Sequence, residues 1–173
     1  MKIGVIGAGK DLPELKYELA NEVGKEIVRN KCVLVTGGCF GYPNAAVKGA
    51  LEEGGKTIAI SPAKDEKEHV GKYGFPLEQS EIIYTGLGIP GRNKEVVLNS
   101  DVIIMIGGEI GTLNEMTYVL YEKKALGVML GSGGVTEVVP QIIDVCKRYK
   151  GKSKIVYSDD PKELVKKLIE VIK

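Results

Sequence analysis

The stretch Ser100-Asp-Val-Ile-Ile-Met-Ile-Gly-Gly-Glu-Ile-Gly-Thr-Leu-Asn-Glu115 is the most informative part of the chain, because it joins an apolar run to a helical pattern through a glycine-rich turn. The run Val102–Ile106 predicts a buried strand. Glycine lets the backbone approach a ligand closely, and the first N–H groups of the following helix have no partner within it. We therefore predict a seat for a phosphate-bearing ligand, with the carboxylate of Glu115 beside it. The candidate ligand-binding residues of this stretch are Gly107, Gly108, Gly111 and Thr112.

The same alternation of short apolar runs and longer helical patterns extends along the chain, as in a parallel sheet wrapped in helices. The predicted strands are Lys2–Ile6, Cys32–Thr36, Thr57–Ile60, Glu81–Thr85, Val102–Ile106, Gly127–Leu130 and Lys154–Tyr157. Predicted helices include Leu12–Arg29, Pro43–Glu53 and Pro161–Ile172. We expect an α/β fold, in which residues 1–173 form a single three-layer Rossmann-like domain around a mostly parallel sheet of about seven strands.

Two further glycine-rich turns follow predicted strands, and ligands bind beyond the carboxyl ends of strands in such sheets. The candidate ligand-binding residues of these turns are Gly7, Gly9, Gly37 and Gly38. The first turn is not a P-loop, since Asp11 stands where that motif needs a hydroxyl. It is not a dinucleotide fingerprint either, because Leu12 occupies the third glycine position. Close packing of a helix on the sheet is an alternative explanation for some of the glycines.

Two charged residues are candidates for chemistry at this edge. Arg92 is predicted to start a helix, where the helix dipole opposes it, so binding a phosphate or carboxylate through its planar fork would explain its position. A plain surface arginine is the alternative. Glu115 also fits a capping box with Thr112, a local role that competes or coexists with a functional one.

Composition excludes several classes of function. A formal net charge of +1 gives no reason to expect bulk capture of nucleic acid or membrane lipid. No apolar run approaches the length that spans a bilayer, and no secretory signal opens the chain, so we expect a cytoplasmic protein. With one histidine and three scattered cysteines, no metal site is expected.

Two segments have open interpretations. The charged stretch Ser61–Pro76 is interpreted as a mobile surface loop, with His69 as an ordinary loop residue. Cys39 lies near a predicted helix N-terminus, which lowers a thiol pKa and would make it reactive. A buried thiol without a chemical role is the simpler interpretation.

The residues from Asp101 to Glu115, with Arg92 before them, resemble the "lonely guy" phosphoribohydrolases of the SLOG group, proteins often mislabelled as lysine decarboxylases. Leu34-Val-Thr-Gly-Gly38 and Ala50-Leu-Glu-Glu-Gly-Gly-Lys-Thr-Ile-Ala-Ile-Ser-Pro62 extend the resemblance. It implies cleavage of a nucleoside 5′-monophosphate into free base and ribose 5-phosphate without metal or cofactor. Arg92 and Glu115 would be the catalytic residues, and a homodimer or higher homo-oligomer is implied.

The chain departs from that pattern at three points. Asn93 replaces a lysine, Ile106 replaces a proline, and one extra residue lies between Gly108 and Gly111. These features look more like the related branch that includes the molybdenum cofactor carrier proteins, which bind a pterin phosphate and need not turn it over. Two functions therefore stay open, a hydrolase and a carrier or sensor of a phosphorylated ligand. A lysine decarboxylase is disfavoured, because no lysine stands out to bind pyridoxal phosphate.

Overall fold

The computed structural model describes residues 1–10, 16–146 and 151–172. Strands and helices alternate along these residues. The strands are β1 (Lys2–Gly7), β2 (Val33–Thr36), β3 (Thr57–Ser61), β4 (Glu81–Tyr84), β5 (Val102–Ile106), β6 (Ala125–Met129) and β7 (Ile155–Ser158). The helices are α1 (Tyr17–Arg29), α2 (Gly41–Glu52), α3 (Glu66–Gly71), α4 (Gly88–Leu98), α5 (Ile110–Tyr121), α6 (Val139–Val145) and α7 (Pro161–Glu170), with a short 3₁₀ helix at Gly134–Val138.

All seven strands are parallel, in the order β4-β3-β2-β1-β5-β6-β7. The order reverses at β1, because the chain builds outward first on one side of this strand and then on the other. Gly7 at the end of β1 is in register with Ile106 at the end of β5. The loops after these two strands therefore diverge from one point, which is where open α/β sheets form their ligand crevice.

The strand β5 shows why the sheet is covered on both faces. Its residues are fully buried and alternate between two hydrophobic clusters. Ile104 joins the cluster of helices α1, α2 and α7, whereas Ile103 and Met105 join the cluster of α4, α5 and α6. The result is the three-layer α/β fold expected from the sequence, and that prediction is confirmed.

Some strand and helix boundaries differ from those predicted from the sequence. The predicted strands are all present, shifted by two residues or fewer at each end. The first part of the predicted helix Leu12–Arg29, together with Asp11, lies outside the described residues, and α1 begins at Tyr17. The prediction that Arg92 starts a helix was wrong, because α4 already begins at Gly88. Pro90 fits there because the first turn of a helix has no intrahelical use for its missing N–H.

The interpretation of Ser61–Pro76 as a surface loop was wrong. Ser61 ends β3, residues 66–71 form α3, and His69 is completely buried. Asp65 caps α3 by accepting a hydrogen bond from the Glu68 N–H at 2.8 Å. The charged residues lie on the outer face of a short helix whose inner face carries the imidazole.

None of the helices in the described part of the chain combines the length and apolar character that crossing a bilayer requires.

Candidate functional site

A cleft of about 760 Å³ opens at the carboxyl ends of β1, β2 and β5, where the strand order reverses. Its volume lies within the range of roughly 300–1,000 Å³ that is usual for small-molecule sites. The cleft brings together most of the residues singled out from the sequence. Those that line it are Gly7, Gly9, Gly37, Arg92, Gly111, Thr112 and Glu115.

The other three glycines predicted to bind the ligand, Gly38, Gly107 and Gly108, lie in the adjoining turns and do not line the cleft. Gly107 and Gly108 have φ values of +56° and +92°, which side chains rarely adopt. The Gly107 N–H donates to Ser132 Oγ at 2.8 Å, so this N–H already has an acceptor within the protein. A Cβ on Gly38 would lie 3.2 Å from Ala59 Cβ and 3.3 Å from His69 Cε1. These glycines shape the turns, and a direct ligand contact for them remains a prediction.

The N-terminus of α5 faces the cleft through Gly111 and Thr112. The helix begins at Ile110 after Glu109, and no side chain of the described residues caps it. Thr112 is therefore the third helical residue and not the N-cap, so the capping-box alternative for Glu115 was wrong. The first N–H groups of a helix lack intrahelical partners, and together with the dipole they favour an anion.

Arg92 reaches the cleft from the second turn of α4 and is only 5% exposed. The plain surface arginine considered as an alternative is thereby excluded. Its Nη1 lies 3.6 Å from Glu115 Oε1, an ion pair slightly too long for a direct hydrogen bond. Its Nε is buried and has no hydrogen-bond partner among the described residues. The guanidinium is thus a desolvated cation whose Nε donor is still to be satisfied.

Gly37 makes room for this guanidinium. A Cβ at Gly37 would lie 1.8 Å from Arg92 Nη1 and 2.5 Å from Arg92 Cζ. Such distances are far below van der Waals contact, so any side chain at Gly37 would displace Arg92. Packing therefore explains the glycine after β2, and the group that packs against it is the guanidinium of the candidate site.

Glu115 lies within α5 and is 6% exposed. Burial raises the pKa of this carboxyl to about 7, although the nearby Arg92 charge lowers it in part. The carboxyl therefore takes up a proton much closer to neutral pH than an ordinary glutamate does. A group with this pKa can give or take a proton under physiological conditions.

Cys39 and Asn93 complete the buried surroundings of Arg92. Burial raises the pKa of the Cys39 thiol, and the neighbouring Arg92 charge only partly offsets that effect. The interpretation of Cys39 as a buried thiol without enhanced reactivity thus agrees with the structure. Asn93 donates to Asn114 Oδ1 at 3.0 Å, which links α4 to α5 beside the ion pair.

Several lining residues were not anticipated from the sequence. Lys72, Tyr73 and Phe75 reach the cleft from the segment that follows α3. Phe40 and Ile89 add apolar surface, and both are more than a third exposed. The sequence signal was available in Lys72-Tyr-Gly-Phe75, where two aromatic residues flank a glycine inside an otherwise charged segment.

Ser132 was also missed. Its Oγ accepts from the Gly107 N–H and donates to the Met129 carbonyl at 2.6 Å. The Val135 N–H donates to the Gly108 carbonyl at 2.9 Å. The loop after β6 therefore holds both glycines of the turn after β5. Across the described ranges, no group of three or more histidine, cysteine, aspartate or glutamate side chains is arranged to hold a metal ion.

The parallel sheet, the crevice at its switch point and the buried arginine beside a helix N-terminus define a Rossmann-like α/β protein with a small-molecule cleft. Residues 1–165 match the model of the SLOG cluster4 family, and the chain belongs to that family. The family resemblance seen in the sequence is thereby confirmed.

Three similar proteins extend this assignment. An uncharacterized protein from Archaeoglobus fulgidus is 34% identical over 152 residues, covering 84% of this chain and 94% of that protein. The molybdenum cofactor binding protein from the phototrophic bacterium Rippkaea orientalis has a TM-score of 0.81 at 26% identity, covering 99% of this chain and 97% of that one. The Moco carrier protein from Chlamydomonas reinhardtii has a TM-score of 0.77 at 31% identity, covering 98% of both chains.

Proposed function

We propose that the protein binds a phosphorylated small molecule in the cleft between β1 and β5, and that molybdenum cofactor, a pterin phosphate, is its ligand. The observation that carries this proposal is the Arg92 guanidinium, which is buried at the cleft with its Nε unpartnered. Burying a cation that keeps an unpartnered donor is unfavourable in free energy unless an anion pairs with it. The N-terminus of α5 favours the same charge.

The choice of molybdenum cofactor rests on two similar proteins that are described as binding or carrying it. The likeness to each extends over almost the entire length of both chains. The departures of Asn93 and Ile106 from the phosphoribohydrolase pattern point the same way. In this role, Arg92 and the α5 N-terminus hold the phosphate, and Glu115 is a buried acid that adjusts the charge of the site.

A binding experiment tests this function. Molybdenum cofactor released anaerobically from a molybdoenzyme is mixed with the purified protein, and the mixture is separated by gel filtration. We expect molybdenum and pterin to co-elute with the protein in equal amounts, and Arg92→Met to abolish co-elution. Arg29→Met is the matched control, because Arg29 is exposed at the end of α1, away from the cleft, where it pairs with Glu22, Glu26 and Glu53. Co-elution that survives Arg92→Met would contradict the proposal.

A nucleoside 5′-monophosphate phosphoribohydrolase is the second candidate, and the position of Glu115 favours it. A carboxyl with a pKa of about 7, with its Oε1 3.6 Å from Arg92 Nη1, suits a reaction that transfers a proton at neutral pH. The C1′–N bond breaks with its electron pair leaving on the base, and water adds to C1′. The proton released by the water passes through Glu115 to the departing base. Ionised Glu115 also stabilises the positive charge on the ribose.

Release of free base separates the two candidates. The protein is incubated with adenosine, guanosine, cytidine and uridine 5′-monophosphates, and free base and ribose 5-phosphate are measured by chromatography. If the protein is a hydrolase, Glu115→Gln lowers the turnover rate far more than the ligand affinity. Equal losses in both would count against a catalytic role. Binding without base release supports the carrier function.

A further inference from the structure

The side of the cleft formed by residues 72–75 is aromatic. Tyr73 and Phe75 both line the cleft, with ring centroids 5.6 Å apart and ring planes inclined by 36°. The Lys72 ammonium lies 5.1 Å from the centroid of the Tyr73 ring. Both rings are half-buried, so part of their surface remains open to the cleft.

The completely buried imidazole of His69 supports this aromatic pair from behind. Its ring meets the Phe75 ring at 80° with centroids 5.6 Å apart, a favourable edge-to-face arrangement. His69 Nε2 lies 3.0 Å from the Pro76 carbonyl, which can only accept, so Nε2 donates. Nδ1 lies 2.8 Å from Ser61 Oγ, within hydrogen-bond distance.

These contacts tie the aromatic pair to the sheet. Ser61 is the last residue of β3, and Pro76 directly follows Phe75, so His69 connects the strand end to the segment that carries the rings. Tyr84 of β4 also packs edge-to-face against the imidazole, with ring centroids 5.9 Å apart and ring planes at 81°. The aromatic pair is therefore preorganised and need not be ordered by a ligand.

Resting on the proposed function, we propose that Tyr73 and Phe75 bind the planar heterocycle of the ligand while Arg92 binds its phosphate. A single cleft then offers a cation for the charged end and aromatic faces for the ring end. Rings stack on aromatic side chains through their faces, so pterins and nucleobases satisfy the same surface. Phe40 and Ile89, 36% and 44% exposed in the same cleft, add apolar surface that a ring would cover.

His69 is a positioning residue in this arrangement. It lies behind Phe75 and does not line the cleft. Its substitution is therefore expected to weaken ring binding only through the placement of Phe75.

The test compares ring-bearing and ring-free ligands on the full chain. Affinities for molybdenum cofactor, the four nucleoside 5′-monophosphates and ribose 5-phosphate are measured by calorimetry for the wild type, Tyr73→Leu and Phe75→Leu. Tyr121→Leu is the control, because Tyr121 is 68% exposed at the end of α5 and lies outside the cleft lining. Tyr73→Leu keeps the contact between Phe75 and His69, so it provides the test if Phe75→Leu does not fold.

We expect Tyr73→Leu and Phe75→Leu each to lower the affinity for the ring-bearing ligands of the wild type by about 5- to 100-fold. This is the usual range for the loss of one stacking partner. Affinity for ribose 5-phosphate should not change. Unchanged affinity for every ring-bearing ligand would overturn the inference and leave the proposed function intact, and an equal loss for ribose 5-phosphate would also overturn it. A wild-type protein that binds none of these ligands would overturn both.

Discussion

Nη1 of Arg92 lies 3.6 Å from Oε1 of Glu115, and both side chains are almost completely buried at the floor of one cleft. The two residues come from adjacent helices, α4 and α5, on the same side of the sheet. The guanidinium keeps an unpartnered Nε donor among the described residues, and burial raises the pKa of the carboxyl. A phosphate arriving at Arg92 would therefore meet an acid able to remain neutral, which reduces the repulsion between like charges.

The first prediction concerns the pH dependence of stability. The pKa of Glu115 is about 7 in the folded protein against a usual value of 4.5. Well below pH 4.5 the group is neutral in both the folded and the unfolded state. Between about pH 4.5 and 7 the unfolded state ionises first, so the free energy of unfolding falls as pH rises, by about 3 kcal/mol in total.

Glu115→Gln removes this titration. We expect its free energy of unfolding, relative to that of the wild type, to increase between pH 4.5 and 7 and to stay constant above about pH 8. Urea denaturation at intervals of half a pH unit measures the difference, in which the other titrating groups cancel. A difference that does not change with pH would show that Glu115 keeps an ordinary pKa.

The second prediction concerns the shape of the cation at the cleft. Arg92→Lys keeps the charge but replaces the planar fork by a single ammonium, so it cannot hold phosphate with two parallel hydrogen bonds. We expect affinity for ribose 5-phosphate to fall by about 10- to 100-fold, the equivalent of losing roughly 1.5–3 kcal/mol. Arg29→Lys on the outer face of α1 should leave the affinity unchanged. Equal affinities for Arg92→Lys and the wild type would argue against phosphate binding at Arg92.

The third prediction concerns Gly37, whose missing side chain leaves space for the guanidinium. Gly37→Ala places a methyl group where Arg92 Nη1 now lies, so Arg92 must move. We expect a loss of phosphate affinity comparable to that of Arg92→Lys. The double variant should lose little more than either single variant, because both changes act on one group.

Calorimetry with ribose 5-phosphate measures the affinities of the three variants. Gly71→Ala is the control, since a Cβ there meets no atom of the described residues within 4 Å. Additive losses in the double variant would mean that Gly37 contributes independently of Arg92.

How far the sequence predicts this molecule depends on whether the cause of a feature is local. Most strands were predictable because they are short apolar runs bounded by polar residues or glycine, the pattern that buried parallel strands require. The cleft was predictable because glycine-rich turns follow β1, β2 and β5. The aromatic pair and its support by His69 were not predictable. The charged residues around His69 lie on the outer face of α3 and suggest an exposed segment, whereas the imidazole is buried only by tertiary packing.

The same distinction explains the errors at the site residues. Gly88-Ile-Pro-Gly91 has the composition of a turn, yet it forms the first turn of α4, where proline is tolerated. Arg92 is therefore not opposed by the helix dipole as the first residue would be. Glycine is required at position 37 because the guanidinium of a residue distant in sequence packs against it, so no local sequence pattern predicts this requirement.

The final prediction concerns Ser132, which holds the turn after β5 in place. Its Oγ accepts from the Gly107 N–H at 2.8 Å and donates to the Met129 carbonyl at 2.6 Å. Ser132→Ala leaves a buried N–H without an acceptor, which costs about 1–3 kcal/mol. Ser153→Ala is a matched control, because the buried Ser153 Oγ has no hydrogen-bond partner in the described structure. Removing that hydroxyl should leave the stability unchanged or raise it slightly, because an unsatisfied buried polar group is lost.

Urea denaturation of Ser132→Ala and Ser153→Ala therefore compares the same chemical change in two environments. We also expect Ser132→Ala to weaken binding of ribose 5-phosphate, because the turn that precedes α5 loses an anchor while Arg92 and Glu115 remain. Equal stabilities of the two variants would show that the hydrogen bond from Gly107 contributes nothing measurable. A destabilised Ser132→Ala with unchanged phosphate affinity would instead show that the turn supports the fold without positioning the ligand.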